Sequence, residues 1–126
     1  GGSIVRNGCR FSLVHATHTC YTGHVVGVIL EMDGKTIYHM GDTGLAMDMK
    51  ILPEFFRIDL AFVPIGDRYT MGPPSAARAV EWCGAKHAVP IHYNTWPPIE
   101  VDPQDFAKRL PKGVVKILKP GETIEV

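Results

Sequence analysis

The chain has 126 residues and a mass of 13.9 kDa, enough for one domain or part of one. With 45% hydrophobic and 21% charged residues it is not a wholly disordered chain, and thirteen Lys/Arg against thirteen Asp/Glu leave no basic excess to drive general nucleic-acid binding. No apolar run approaches the roughly 18 residues that span a bilayer, and Gly1-Gly2-Ser3-Ile4 has no signal-peptide layout. The expected partners therefore include neither nucleic acid nor membrane. Cys9, Cys20 and Cys83 form no Cys-x-x-Cys pair, and an odd, scattered set of thiols fits a reducing cytoplasm.

Two short strands, 4–6 and 9–14, are expected around Asn7-Gly8, a strong hairpin signal. A second hairpin joins 24–32 to 35–40 through Asp33-Gly34. The segment 45–56 reads as partly helical and interrupted by Pro53. Leu60-Ala61-Phe62-Val63 is a short continuous apolar run, the pattern of a strand covered on both faces. A helix starts at Pro73-Pro74 and stops at Gly84, with Ala76, Ala79, Val80 and Cys83 on one face. A strand over 86–91 follows. Asp102 is placed to cap a short helix that begins at Pro103 and turns Phe106, Ala107 and Leu110 inward. The chain closes with 114–118, a Pro120-Gly121 turn and 123–126. No repeat or linker breaks it, so 1–126 reads as one unit.

The six histidines matter through their placement. His18 lies just beyond the second strand and His92 at the end of strand 86–91. Between them, Asp42 follows a strand in Met40-Gly41-Asp42-Thr43-Gly44. Strand ends that run into Gly-rich loops are where open α/β layers build sites. Imidazole nitrogens and a carboxylate suit Zn²⁺, Mn²⁺ or Fe²⁺, but the long spacing encodes no motif, and a strand-end histidine is commonly structural.

A resemblance narrows this reading. The segments His15-Ala16-Thr17-His18-Thr19, Thr36-Ile37-Tyr38-His39-Met40-Gly41-Asp42-Thr43-Gly44 and Pro90-Ile91-His92-Tyr93-Asn94-Thr95 resemble metallo-β-lactamase-fold proteins. The branch is that of metal-dependent hydrolases similar to ascorbate-6-phosphate lactonases. Leu60 to Gly66, Tyr69 to Pro73 and Leu118 to Glu122 carry the same likeness. The family's fold is an αββα sandwich, and its signature His-x-His-x-Asp-His, which precedes the region matched here, is absent from this sequence. The resemblance therefore implies the C-terminal half of such a sandwich: an α/β (α+β) unit with a mixed sheet and covering helices.

It also implies that His18, Asp42 and His92 are metal ligands, with Asp42 and His92 central to catalysis and Asp42 bridging two divalent ions. Zinc is the expected metal, with manganese or iron as alternatives, and the first metal site is left incomplete. The implied activity is hydrolysis by a metal-activated water attacking an ester, lactone or phosphodiester of a small-molecule substrate. His39, Tyr93 and Asn94 are candidates to orient a ligand or touch substrate. His15 reads as structural or as a support to a ligand, His24 and His87 as structural, and Asp48 as either a supporting carboxylate or a surface charge. Trp82 and Trp96 read as packing.

One sheet of a sandwich leaves an apolar face without a cover, which calls for the N-terminal half or a second copy of the chain. Alone, the chain is expected to be inactive. The alternative is a non-catalytic interaction module that retains the half-fold.

Overall fold

The computed structural model describes residues 1–126, Gly1 to Val126. Six strands form one mixed sheet in chain order: β1 Ser3–Arg6, β2 Cys9–His15, β3 Val26–Met32, β4 Lys35–His39, β5 Leu60–Pro64 and β6 His87–Ile91. The first four are antiparallel neighbours, whereas β5 and β6 add in parallel to β4. Both hairpins form where the sequence puts them. Asn7-Gly8 and Asp33-Gly34 each have two successive positive φ angles (49° and 78°, 48° and 73°), the turn whose twist matches paired strands.

Helix α1, Pro73–Cys83, is the parallel crossover from β5 to β6. Pro73 and Pro74 set its first turn, and Gly84 ends it in the left-handed conformation at φ 65°. Its inward face is mostly alanine (Ala76, Ala77, Ala79, with Val80 and Cys83), so the helix lies close to the sheet. Burial pushes the Cys83 thiol up to about 11, which makes it an inert core group. Helix α2, Pro103–Ala107, begins as expected: the Asp102 carboxylate accepts from the Gln104 N–H at 2.9 Å.

One expectation is refined. The 45–56 segment holds no α-helix, only 3₁₀ turns at Met47–Lys50 and Leu52–Glu54, and Pro53 sits inside the second rather than between elements. Leu45, Met49, Leu52 and Phe56 keep helical spacing, but Pro53 has no N–H to donate to the Met49 carbonyl, so no continuous α-helix forms. The closing segment 114–126 forms no strand. It meets the sheet at a single bridge, Val115 beside Ala88.

The register sorts the sheet into two faces. Ile29, Tyr38, Ala61 and Ala88 align across β3 to β6, and all four are fully buried under α1, α2 and the 3₁₀ turns. On the opposite face run two apolar rows. One is Ile4, Phe11, Leu30, Ile37 and Leu60; the other contains Leu13, Val28, Phe62 and Val89, broken only by His39. Leu60 and Val89 are buried, but exposure grows toward the hairpin edge, reaching 43% at Leu13 and 67% at Ile4. No helix of the chain is long and apolar enough to cross a membrane.

Candidate functional site

β2, β4, β5 and β6 all point the same way, so their C-terminal ends share one edge of the sheet. His18, Asp42 and His92 each follow one of those ends, with Asp42 on the central strand of the three.

The Asp42 loop is built tightly. Gly41, at φ 68°, turns the chain against the carbonyl of Val26. The His39 Nδ1 accepts from the Gly41 N–H at 3.1 Å, and the His39 ring packs on Phe62 with centroids 5.6 Å apart. His39 thus shapes the turn that presents Asp42. Thr43 is fully buried and acts as a strut. Its hydroxyl accepts from the Thr17 N–H at 2.9 Å and donates to the Gly44 carbonyl at 2.8 Å. The Gly44 N–H returns to the Thr17 carbonyl at 2.9 Å. These bonds fasten the backbone beside His18 to the backbone beside Asp42.

His92 leaves β6 at φ 54°, a left-handed conformation that histidine tolerates better than most residues but which still costs free energy. Glycine at 66 makes room for this turn, because a Cβ there would overlap the His92 carbonyl oxygen. Asn94, also left-handed at φ 56°, spends its amide oxygen on the Val101 N–H at 2.8 Å and so braces the loop. Tyr93 packs against the core, and burial raises its hydroxyl above the ordinary tyrosine range, so it stays protonated at neutral pH.

Asp42 and His92 come together. The Asp42 Oδ2 and His92 Nε2 lie 3.5 Å apart, with 48% and 31% of the two side chains exposed. That is long for a strong hydrogen bond. It is close to the edge of a tetrahedron, about 3.4 Å, whose ligands stand 2.0–2.2 Å from one ion. His18 does not join them: its Nδ1 lies 3.0 Å from the carbonyl oxygen of Thr19, and no three His, Cys, Asp or Glu side chains converge on a common point. The expected three-ligand set is therefore assembled in the backbone but only two-thirds assembled in side chains. His15 pairs instead with Asp48, Nδ1 to Oδ2 at 2.7 Å, with both side chains exposed.

The fit to a divalent ion can be tested on these atoms. Asp42 and His92 supply one oxygen and one nitrogen at the spacing of adjacent ligands, both open to solvent. The His92 tautomer that leaves Nε2 free for a cation carries its proton on Nδ1, which is buried without a hydrogen-bond partner. The pair fits one corner of a metal site rather than a whole one.

The comparisons with known proteins settle the lineage. Residues 1–93, which include His18, Asp42 and His92, match the β-lactamase superfamily domain model. The chain belongs to the metallo-β-lactamase-fold hydrolase family. Within that family it is similar to the UPF0173 metal-dependent hydrolase of Geobacillus thermodenitrificans, 58% identical over 106 residues, which cover 84% of this chain and 47% of that protein. A metal-dependent hydrolase of Shouchella clausii is 50% identical over 120 residues, 95% of this chain and 53% of its own length. Igni18, a metallo hydrolase of the archaeon Ignicoccus hospitalis, superposes with a TM-score of 0.90 at 38% identity, over 98% of this chain and 57% of that one. The chain thus spans about half the length of the curated relatives it matches.

Sequence reasoning placed Asp42 and His92 on the shared edge but missed the parts that hold them. Thr43, which carries no sequence signal beyond its place in the Gly-rich loop, ties two loops together. Gly66 stood only within the Leu60 to Gly66 likeness, and nothing in the sequence marked its contact with His92.

Proposed function

We propose that this chain supplies the Asp42 and His92 corner of a divalent-metal site in a metal-dependent hydrolase. The 3.5 Å Asp42–His92 spacing at the shared strand edge carries this reading. Zinc is the favoured ion, with manganese or iron as alternatives, and His18 is the third ligand once its ring turns from Thr19. A bound divalent ion would supply Lewis acidity and an ionisable water for attack on an ester, lactone or phosphodiester. The chain's own residues do the positioning: Asp42 is fixed by the Gly41 turn and His39, and His92 by the Gly66 contact and the Asn94 brace. Asp42 would also help to hold a second ion, with the remaining ligands supplied from outside this chain.

The site is half of a larger one on this reading, and the isolated chain does not turn over substrate. Two observations support it. The chain spans about half the length of its relatives, and one sheet face is apolar while partly exposed. The N-terminal half of the fold, or a second copy of the chain, would cover that face. The free thiols Cys9, Cys20 and Cys83 fit a cytoplasmic location.

Zinc titration calorimetry tests the site. Binding to the chain is expected to be weak, and Asp42→Asn or His92→Ala should each weaken it by at least about 10-fold. Affinity unchanged by both substitutions would sink the proposal. A non-catalytic module is the second reading, favoured by the turn of His18 toward Thr19. It gains if no metal binds even after the complementary half is added.

A further inference from the structure

Two loops flank the Asp42–His92 pair. The first, residues 66–72, leaves β5 and is pinned on both sides. At one end Gly66 presses on the His92 carbonyl; at the other the Met71 N–H donates to the Thr43 carbonyl at 3.1 Å. It also closes on itself, with the Asp67 N–H donating to the Met71 carbonyl at 3.0 Å and Gly72 packed against the Asp67 side chain. The second loop follows His92. It is held by the Asn94 N–H to the Ile99 carbonyl at 2.9 Å and the Ile99 N–H to the Trp96 carbonyl at 3.1 Å. Each rigid loop carries one exposed aromatic ring at the site's edge of the sheet.

These rings meet. Tyr69 and Trp96 stack nearly parallel, with centroids 5.8 Å apart and planes 8° from coplanar, and each is 47% exposed. Packing does not account for the pair, since neither ring belongs to the core or to the residues lining it. The Arg68 guanidinium carbon lies 5.8 Å from the Tyr69 ring centroid, and Arg68 has no carboxylate partner. A rigid, half-exposed aromatic pair beside an unpaired cation is a recognition surface: one part offers a π-face and the other attracts an anion.

We propose that Trp96 and Tyr69, with Arg68 beside them, form the wall that selects substrate at this site, taking a flat aromatic group joined to a negatively charged ester. This rests on the hydrolase reading, which places the scissile bond at Asp42 and His92. None of the three residues touches the reacting atoms in this scheme. Trp96 and Tyr69 select the group on one side of the bond, and Arg68 steers its charge.

The test uses the protein as isolated from its source, in whatever assembly it forms, with phenyl phosphate and methyl phosphate as probes. Calorimetry should give phenyl phosphate a roughly 5- to 10-fold tighter Kd than methyl phosphate, because the two differ only in the ring. Trp96→Ala and the bulkier Trp96→Leu should erase that preference and leave methyl phosphate unchanged. Tyr69→Phe, which keeps the stack, should preserve it. Arg68→Gln should weaken both probes alike, by a few-fold. Equal affinity for the two probes in the unmodified protein overturns the proposal, as does a preference that survives the Trp96 substitutions. The two readings fail separately. Methyl and phenyl esters turned over with no binding preference would remove the wall and leave the hydrolase. A clear preference in a protein that binds no divalent metal would remove the hydrolase and leave the wall as a ligand-binding surface.

Discussion

The two faces of the sheet are made of similar residues and meet different fates. Tyr38 and Ile37 are neighbours in β4, yet Tyr38 is fully buried under helices while Ile37 on the other face is only half-buried. The same holds in β3, where Ile29 is sealed and Val28 and Leu30 are not. An antiparallel strand written for one dry and one wet face alternates apolar with polar residues. Val28-Ile29-Leu30 and Leu60-Ala61-Phe62-Val63 do not alternate. The chain's sequence is that of a sheet covered twice, while its own helices cover it once. The difference shows that the open face follows the residue pattern of an interior rather than of a surface.

The largest expected effect separates the faces directly. Tyr38→Ala should cost about 3–5 kcal/mol in urea unfolding of the chain, and Leu13→Ala on the open face less than about 1 kcal/mol. Similar losses at both positions would mean that the open face is already covered in solution, which self-pairing would produce. Adding the partner should raise the cost at Leu13 and leave that at Tyr38 unchanged.

A smaller effect probes the edge where the two faces end. Thr43→Val removes the hydroxyl that receives the Thr17 N–H and should cost about 0.5–1.5 kcal/mol, the worth of one part-buried hydrogen bond. The same change should weaken zinc binding beyond what stability explains, because the backbone before His18 loses its tie to the Asp42 loop. Zinc affinity that tracks stability alone would show that Thr43 has no part in assembling the site.

The smallest effect lies on the parallel half of the sheet and depends on pH. The Lys86 ammonium, 2.7 Å from the Asp59 carboxylate, holds that carboxyl below its ordinary range, helped by the Thr36 N–H at 2.9 Å. A depressed carboxyl pKa stabilises the fold above the unfolded value, near about 3.9, and the contribution disappears as the pH drops through the folded value. Lys86→Met should therefore lower the melting temperature at pH 7, and the gap to the parent should narrow at pH 2. A gap of the same size at both pH values would show that Lys86 acts through packing rather than charge.

Much of this architecture was legible in the residues. The hairpins follow from Asn7-Gly8 and Asp33-Gly34, and helix α1 from Pro73-Pro74 and Gly84, because local turn and cap chemistry decides them. Segments settled by distant contacts were not legible. Residues 47–54 take 3₁₀ turns that put Met49 and Leu52 in the core, and 114–126 stays irregular after one bridge to Ala88. The same divide runs through the site. Asp42 and His92 stand at strand ends that the sequence marks, but the Thr43 strut and the Gly66 contact join residues more than twenty positions apart. The side-chain turn of His18 toward Thr19 is set by rotamer choice, which strand-end placement does not fix.

Native mass spectrometry of the protein purified from its source, with zinc present throughout, tests the central claim most directly. The account predicts an assembly, with either the complementary half or a second copy of this chain, that carries bound metal and loses it in Asp42→Asn. A lone, metal-free 126-residue chain at saturating zinc would contradict it.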